Sequence, residues 1–487
     1  MKKIIIFFVI YLFINSFVFA GDFGDVYGAH PSAAGMGNAV TSTVNNTSSV
    51  YYNPAGLGKL SEGDRLNALI DKQNWEKVNG VKTENTPKKN TKEKLKEFFQ
   101  EAIRKPFTYQ PLDRPSKQVS ELSLQYNYAN PRLTTSAPTS QDLTKTADDF
   151  VGLGLSINLN NIYDFKRNVK FGLNILGPAT GNLLTINDVN PTVHRYLQYG
   201  VSNQKPTIMG GLGVEIWKDR LFLGLGFSAL VAGEGRILLR DVPISPNTVT
   251  PNQQVILQVK PIINPNYGFI FQYGKFAMGV SYRREIALSV DSLGARAQTT
   301  LLGIQLDFDV SLYDLFSPRK LAYGISYKPI QNLTLAVDIN REMWSGLGSS
   351  NPFLGRQFYS RTKATYSEPF RLVDVTVVRA GVDYKWSDLL SFRLGYTKRP
   401  KATPDTPGQA NWIDFDRLIY TAGVSFAFLP GMKYLENLKN PILLDFVLDY
   451  QKLHGEHVYK YKATDRNPNY SVGGNVWHIG GSITMFY

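Results

Sequence analysis

The chain has 487 residues, enough for one very large domain or several ordinary ones. It contains no cysteine, which excludes a disulfide framework, thiolate metal sites, a cysteine nucleophile and a lipid anchor on cysteine. The net charge is +13, which suits acidic lipid headgroups as well as any other acidic partner, and the mean hydropathy of −0.19 excludes a protein built from many membrane-spanning helices.

The first twenty residues have the features of a secretory signal peptide. Lys2 and Lys3 precede an apolar run that starts at Ile4, and Val18-Phe19-Ala20 forms an acceptable cleavage site. We therefore expect residues 1–20 to direct export. A single membrane anchor is the alternative, because the apolar run is borderline in length.

Residues 21–60 hold the most concentrated run of small residues in the chain. They include GAHPSAAGMGNAV at 28–40 and SSVYYNPAGLGKL at 48–60. Glycine and alanine let a backbone approach a neighbouring surface closely, and an Asn-Pro pair fixes a turn. The pattern predicts a compact segment that packs against something other than itself.

Residues 61–118 are polar and rich in lysine. One stretch, TKEKLKEFFQEAIRK at 91–105, places its apolar side chains on one face of a helix. We predict an insertion with a short amphipathic helix ahead of the first strand, and the sequence assigns it no function.

From residue 119 to residue 487 the apolar side chains recur with a period of two. The pattern is clear in the stretches ELSLQYNY (121–128), VGLGLSINLN (151–160), KFAMGVSYR (275–283) and GIQLDFDVSL (303–312). Alternation sustained over so many segments is typical of β-strands. Strands of about 9–11 residues also have the length needed to cross a bilayer at a tilt.

Alternation alone does not distinguish a soluble sandwich from a membrane barrel. Here the polar face is rich in glycine, serine and alanine, whereas a solvent-facing surface would carry more lysine and glutamate. Tyrosines recur at the ends of the apolar faces, as in the aromatic girdle of a membrane protein: Tyr128, Tyr282, Tyr327, Tyr396 and Tyr450. These features favour a transmembrane antiparallel β-barrel over a secreted soluble β protein.

The connections between these segments alternate between short and long, which is typical of outer-membrane barrels. If 303–328 is one long strand interrupted by a proline, the count is about fourteen strands, and the last ends in the aromatic residue Tyr487. Several charged residues would face the lumen: Asp307, Asp309, Lys328, Asp338, Asp445 and Asp449.

Three motifs that could carry chemistry are weak. Gly224-x-Gly226 lies inside an alternating strand, whereas a dinucleotide fingerprint needs a strand before it and a helix after it. His454 and His457 lie in a predicted loop without the spacing of a metal site. His478 lies on the closing strand and would point into the lumen of the barrel. We therefore expect no catalytic residue, no metal and no cofactor.

The chain resembles the FadL/OMPP1/TodX family of outer-membrane transporters for long-chain fatty acids and other hydrophobic compounds. Members carry a small-residue N-terminal hatch with Gly-x-Gly and then Asn-Pro-Ala, which correspond here to Gly35-Met36-Gly37 and Asn53-Pro54-Ala55. Two later stretches, LTLAVDINREMWSGL (333–347) and LGYTKRPKATPD with IDFDRLIYTAGVSF (394–405 and 413–426), follow the family's order. Departures from the pattern are Asn45-Asn46 in place of two acids, and Arg341 and Met343 before Trp344.

The resemblance implies an all-β, fourteen-stranded transmembrane barrel at residues 119–487, plugged by a hatch at 21–60. It implies gating by Gly35, Met36, Gly37, Asn53, Pro54 and Ala55, and passive transport of a fatty acid or another hydrophobic molecule. The solute would be received by outer loops at 232–265 and 284–302 and released sideways into the outer-membrane lipid. No nucleic acid is involved. The alternative is a barrel that acts as a partner or shuttle component in protein export, with a protein bound to its outer loops.

Overall fold

The computed structural model describes residues 23–78, 114–137, 147–179, 194–199, 207–240, 252–287, 295–301, 304–310, 316–346, 372–404, 412–432, 437–460 and 469–487. The predicted signal peptide and the predicted helix at 91–105 lie outside these residues.

The described chain begins with short helices: α1 (Phe23–Val26), α2 (Pro31–Ala34), α3 (Ser49–Tyr52) and the 3-10 helix Pro54–Gly58. The longer helix α4 (Glu62–Val78) follows. In this part of the chain, as in the other described ranges, no helix has both the length and the apolar character to span a membrane.

The wall is built from fourteen strands of the described chain: β1 (Glu121–Thr135), β2 (Asp148–Asn158), β3 (Val169–Pro178), β4 (Thr207–Trp217), β5 (Leu221–Arg240), β6 (Asn252–Tyr273), β7 (Phe276–Arg283), β8 (Arg319–Ile330), β9 (Leu333–Met343), β10 (Val375–Lys385), β11 (Leu390–Arg399), β12 (Arg417–Phe428), β13 (Ile442–Val458) and β14 (Tyr470–Phe486).

Each strand pairs antiparallel with the next, and β14 returns to pair with β1, so the sheet is a closed barrel. Glu121 lies opposite Phe486 at the seam, and the Ser120 nitrogen donates to the Tyr487 oxygen at 2.8 Å. Closure leaves the wall without free edges. The predicted fold class and strand number are confirmed.

The Glu121–Phe486 pair lies at the end of the barrel where the turns are short, such as 218–220 and 331–332. We call this the short-turn end, and the opposite end, where long connections join the strands, the long-loop end. A 3-10 helix, Leu159–Asn161, lies in the β2–β3 turn.

The two faces of the wall have the polarity of a barrel in lipid. On β1, Leu124 and Tyr126 are exposed, while Ser123, Gln125 and Asn127 between them are buried. The same inversion recurs on β9, where Val337 is 51% exposed and Asp338 is fully buried. An exposed apolar band around a buried polar interior is the arrangement of a transmembrane barrel, not of a soluble sandwich.

Two predictions about the long-loop end are wrong. Residues 303–328 are not one strand, because Ile304–Val310 pairs with Ala295–Leu301 in a hairpin beside β5, and the wall strand starts only at Arg319. The predicted loop 232–265 is largely strand, since β5 and β6 stay paired out to Arg240 and Asn252.

The same hairpin corrects the set of lumen charges. Asp307 and Asp309 lie on the Ile304–Val310 strand, outside the ring of wall strands, so they are not lumen residues. Asp338, Asp445 and Asp449 are buried on the inner face as predicted.

Candidate functional site

The N-terminal segment 23–60, which we call the hatch, lies inside the barrel and follows its inner face. Among the described residues it meets glycines on ten wall strands: Gly154, Gly172, Gly213, Gly224, Gly268, Gly279, Gly324, Gly381, Gly395 and Gly423. A Cβ atom added at Gly213 would lie 2.6 Å from the Gly58 nitrogen, and one at Gly381 would lie 2.5 Å from the Met36 oxygen. The small residues of the polar face therefore make room for the hatch, and we call these ten the glycine band.

The Gly35-Met36-Gly37 motif is bonded to two adjacent wall strands. Thr421 Oγ1 on β12 donates to the Gly35 oxygen at 3.0 Å and accepts from the Gly37 nitrogen at 3.1 Å. Thr397 Oγ1 on β11 donates to the Gly37 oxygen at 2.7 Å. Gly37 has φ +61°, and a Cβ there would lie 2.8 Å from the Tyr396 nitrogen, so both conformation and space require glycine.

Asn53 joins the hatch to the opposite side of the wall. It is completely buried, and its Nδ2 donates to the Thr41 oxygen at 2.8 Å and to the Phe269 and Val280 oxygens at 3.1 and 3.3 Å. Its Oδ1 caps the 3-10 helix by accepting from the Ala55 nitrogen at 3.1 Å. One side chain therefore fixes the hatch turn and bonds β6 and β7.

Pro54 and Ala55 contact strand β5, which neighbours β6. Both lie at the glycine band beside Gly224, and Ala55 packs with the buried side chains of Phe222 and Ile270. All six residues predicted for gating thus lie at the hatch–wall interface, on opposite arcs of the barrel.

Asn45 and Asn46, the positions where the resemblance would place a pair of acids, make hydrogen bonds within the hatch. Asn45 Nδ2 donates to the Leu60 oxygen at 2.9 Å, and Asn46 Nδ2 donates to Ser32 Oγ at 3.1 Å. Asn46 Oδ1 accepts from the Ser48 nitrogen and hydroxyl at 3.0 and 2.7 Å. The amides make hydrogen bonds in the hatch without adding charge to the lumen.

The start of the hatch is bound by charge. Asp25 accepts from Arg283 Nη2 on β7 at 3.1 Å and from the Tyr51 hydroxyl at 2.6 Å, and it pairs with Lys320 on β8. The Arg283 guanidinium lies over the Tyr51 ring, 4.7 Å from its centre. A small cavity of about 40 Å³ opens beside this group and is also lined by Arg379.

The long-loop end covers the hatch with aromatic side chains. Arg195–Tyr196 pairs with Trp412–Ile413, which brings two loop segments together over the lumen. Phe23 and Tyr27 stack on Phe150, Tyr196 and Tyr199 pack against Phe415, and all six rings belong to one buried cluster.

Polar contacts fix this cover to the wall. Burial, with the Asp148 carboxylate nearby, raises the pKa of Tyr27 well above its usual value, so its hydroxyl stays a donor to Asp148 at 2.9 Å. The Tyr199 hydroxyl donates to Gln451 Oε1 at 2.9 Å and accepts from the buried Arg417 at 2.9 Å. The described part of the long-loop end is therefore an aromatic layer held to the wall by polar contacts.

The acidic side chains of the lumen take part in hydrogen bonds and ion pairs with the hatch and the wall. Asp338 Oδ2 accepts from the Thr41 nitrogen at 2.8 Å, and Asp445 pairs with Arg393 at 3.0 Å. His478 is buried between Asn127 and Asp449, 3.1 and 3.7 Å away. Within the described ranges no three His, Cys, Asp or Glu side chains gather as metal ligands.

Sequence reasoning missed helix α4 and the charged group at Asp25. The α4 start carries a signal that the sequence displays, because Ser61 and Asp64 form a capping box and Leu66, Leu69 and Ile70 follow at helical spacing. Asp25 has no such signal, since its partners lie about 260 and 295 residues away in the chain.

Residues 12–434 match the model of a family described as outer membrane protein transport protein (OMPP1/FadL/TodX). Alkane uptake protein A of Marinobacter nauticus is 21% identical over 351 residues, which cover 68% of this chain and 74% of that protein.

Solved structures similar to the chain include a Pseudomonas aeruginosa FadL homologue, with 13% identity, coverage of 94% of this chain and 98% of that chain, and a TM-score of 0.48. The CymD monoaromatic hydrocarbon channel has 14% identity, coverage of 96% and 99%, and a TM-score of 0.49.

Proposed function

The chain belongs to the OMPP1/FadL/TodX family of outer membrane transport proteins for hydrophobic compounds, and we propose that it carries a long-chain fatty acid or a similar apolar molecule by passive diffusion. The family is one of transport proteins rather than enzymes, which agrees with the expected lack of catalysis. The alternative of a partner in protein export is not favoured by this family.

The hatch–wall interface is the observation that carries the proposed mechanism. The hatch meets wall glycines on ten of the described strands, through its backbone at eight of them and through side chains at Gly154 and Gly172, so the route along the lumen is filled. Passage of a solute therefore requires the hatch to rearrange. The Asp25 end is held to the wall by side-chain ion pairs, whereas Gly35–Gly58 is held by backbone contacts at the glycine band. We infer that the Asp25 end shifts and the remainder stays.

Release sideways into lipid suits an apolar solute. Each methylene group exposed to water costs about 0.8 kcal/mol, so a route from the lumen through the wall into the bilayer avoids a large penalty. Alkane uptake protein A is named for alkanes, which adds alkanes to the candidate solutes.

Uptake by cells that lack their own transporter tests this function. Labelled long-chain fatty acid and labelled alkane are supplied to cells that express the wild-type chain, an Asn53→Ala, Pro54→Ala variant, or no barrel. We expect uptake above the empty cells with the wild type and an altered rate with the hatch variant. A folded wild-type barrel that takes up neither solute would overturn the proposal.

A further inference from the structure

Helix α4 begins inside the short-turn mouth of the barrel. Its residue Leu66 is fully buried in a cluster with Val119, Ala427, Leu429 and Phe486, which come from the chain ahead of β1, the end of β12 and the end of β14. Leu69 and Ile70 pack on the edge of the same cluster, against the turns that join the strands. The first half of the helix therefore packs inside the short-turn mouth.

Ion pairs fix the helix to distant parts of the rim. Asp64 is completely buried and pairs with Lys170 on β3 at 2.7 Å. Glu62 pairs with Lys385 at the end of β10 at 2.8 Å, and Arg65 contacts Asp388 in the following turn at 3.2 Å. Strands β3 and β10 are well separated around the ring. The first turn of the helix is thus tied to two distant parts of the rim instead of to one part of the wall.

The electrostatics of the attachment favour the charged state. Although burial opposes ionisation, Lys385 and Arg65 together lower the pKa of Glu62 to about 2. The carboxylate therefore stays ionised, and the tie to β10 persists, across the pH range of the cell envelope.

The second half of the helix points away from the barrel. Residues 71–75 are exposed, and Trp75 is 61% exposed. The chain returns to the rim at Arg114, which pairs with Glu215 and Asp219, each at 2.6 Å. The segment 61–118 is thus anchored where it leaves the barrel and where it comes back.

We propose that α4 is a stopper that seals the short-turn mouth against ions and polar solutes and blocks an axial exit. Short turns of outer-membrane barrels face the periplasm, so the seal lies on the periplasmic side. It serves a purpose separate from apolar transport, because a barrel whose hatch shifts during uptake would otherwise open an aqueous path through the membrane.

A matched pair of substitutions in one helix tests the seal. Leu66→Glu places a charge in the buried cluster, and Trp75→Glu makes the same kind of change in the exposed half. Both changes are made in an Asp25→Asn background, in which the start of the hatch is released and the hatch alone no longer closes the lumen. We measure ion conductance of the purified barrels in planar bilayers, after heat-dependent gel mobility has shown that each barrel is folded. We expect at least a ten-fold rise in conductance over the Asp25→Asn barrel for Leu66→Glu and none for Trp75→Glu. A folded Leu66→Glu barrel with the conductance of the Asp25→Asn barrel would overturn the stopper.

A charge exchange gives a second test that does not disturb the apolar cluster. In the same Asp25→Asn background, Glu62→Lys should raise conductance and cellular entry of a large hydrophilic antibiotic, and Glu62→Lys with Lys385→Glu should return both toward the values of that background. Failure of the double variant to restore the seal counts against the ion pair as its fastening. The conductance measurement uses no apolar solute. Its result therefore tests the stopper even if the uptake assay shows that the proposed transport function is wrong.

Discussion

Asp25 of the hatch and Arg283 of the wall are joined by an ion pair, with Arg283 Nη2 3.1 Å from Asp25 Oδ1. Lys320 pairs with the same carboxylate, and Tyr51 donates to it from within the hatch. Three partners from three parts of the chain thus converge on one side chain near the start of the described hatch. If the hatch moves as proposed, these contacts are the ones that must break at its start.

Removing the charge of Asp25 should free this end of the hatch. Hydrogen bonds to charged groups contribute about 1.5–3 kcal/mol each, so Asp25→Asn should increase opening of the segment roughly ten-fold or more. Because the chain has no cysteine, a Val26→Cys background supplies a single thiol, and its labelling rate measures the opening.

The matched control for this experiment is Asp164→Asn, which makes the same change in an exposed turn residue. Equal labelling rates for Asp25→Asn and Asp164→Asn would show that the ion pair does not hold the hatch.

A methyl group in the glycine band should push the hatch from the wall. A Cβ at Gly381 lies 2.5 Å from the Met36 oxygen, and overpacking of this kind costs about 1–3 kcal/mol. Lys59 is the single lysine or arginine in residues 21–60, so tryptic release of the hatch reports on the change. We expect faster cleavage in Gly381→Ala.

Gly455→Ala serves as the comparison for that experiment. Its nearest neighbour, the Val472 oxygen, would lie 3.8 Å from the new Cβ, which is an ordinary contact. Cleavage that is equally fast in both variants would indicate a general effect of glycine replacement on the wall.

Asn53 should be more sensitive to aspartate than to alanine. Asn53→Ala loses donors to three backbone oxygens, at a cost of about 1–3 kcal/mol for the groups left unsatisfied. Asn53→Asp keeps the shape but turns an acceptor toward the same oxygens, so repulsion is added. The denaturant midpoint for tryptic release of the hatch should fall in the order wild type, alanine, aspartate. The reverse order of the two variants would assign the stability to shape instead of donation.

Lys59 should make hatch stability depend on pH. Burial, with Lys328 nearby, lowers the pKa of Lys59 from 10.5 to about 7. Between these values the unfolded chain binds more protons, so stability rises with pH; below about 7 the full penalty of the buried charge is present.

Lys59→Met removes this titration, so the variant's advantage over wild type should be largest below pH 7 and should shrink as the pH approaches 10. The comparison uses hatch release by chymotrypsin, since the substitution removes the tryptic site. Lys59→Met also loses the hydrogen bonds from Lys59 Nζ to the Ser42 and Thr43 oxygens, and this loss lowers the stability of the hatch by the same amount at every pH. A difference that does not change with pH would contradict the prediction.

The wall could be predicted from the sequence because its information is local. Alternation along each strand, as in Leu124 and Gln125, assigns every side chain to a face by geometry alone. The hairpin at 295–310 was missed for the same reason, since its alternation is indistinguishable from that of a wall strand. Pro318 does not show from the sequence that the wall strand begins only after it.

The partners of the hatch could not be predicted, because they depend on contacts far apart in the chain. Gly35 meets Thr421, 386 residues away, and Asn53 meets Phe269, 216 residues away. The motif residues Gly35 and Asn53 could be singled out as important, but which strand each would meet depends on barrel closure and register. Domain boundaries and gating roles remain predictions for the experiments described.

The glycine band constrains the order of assembly. The hatch contacts wall strands from β2 to β12 from within a ring that closes only when β14 pairs with β1. A ring closed around an empty lumen would admit the hatch only through one of its two mouths, and Asn53 would then have to reach the Phe269 and Val280 oxygens along the filled inner face. We therefore expect the strands to collect around the hatch during assembly, with the Ser120–Tyr487 contact formed last.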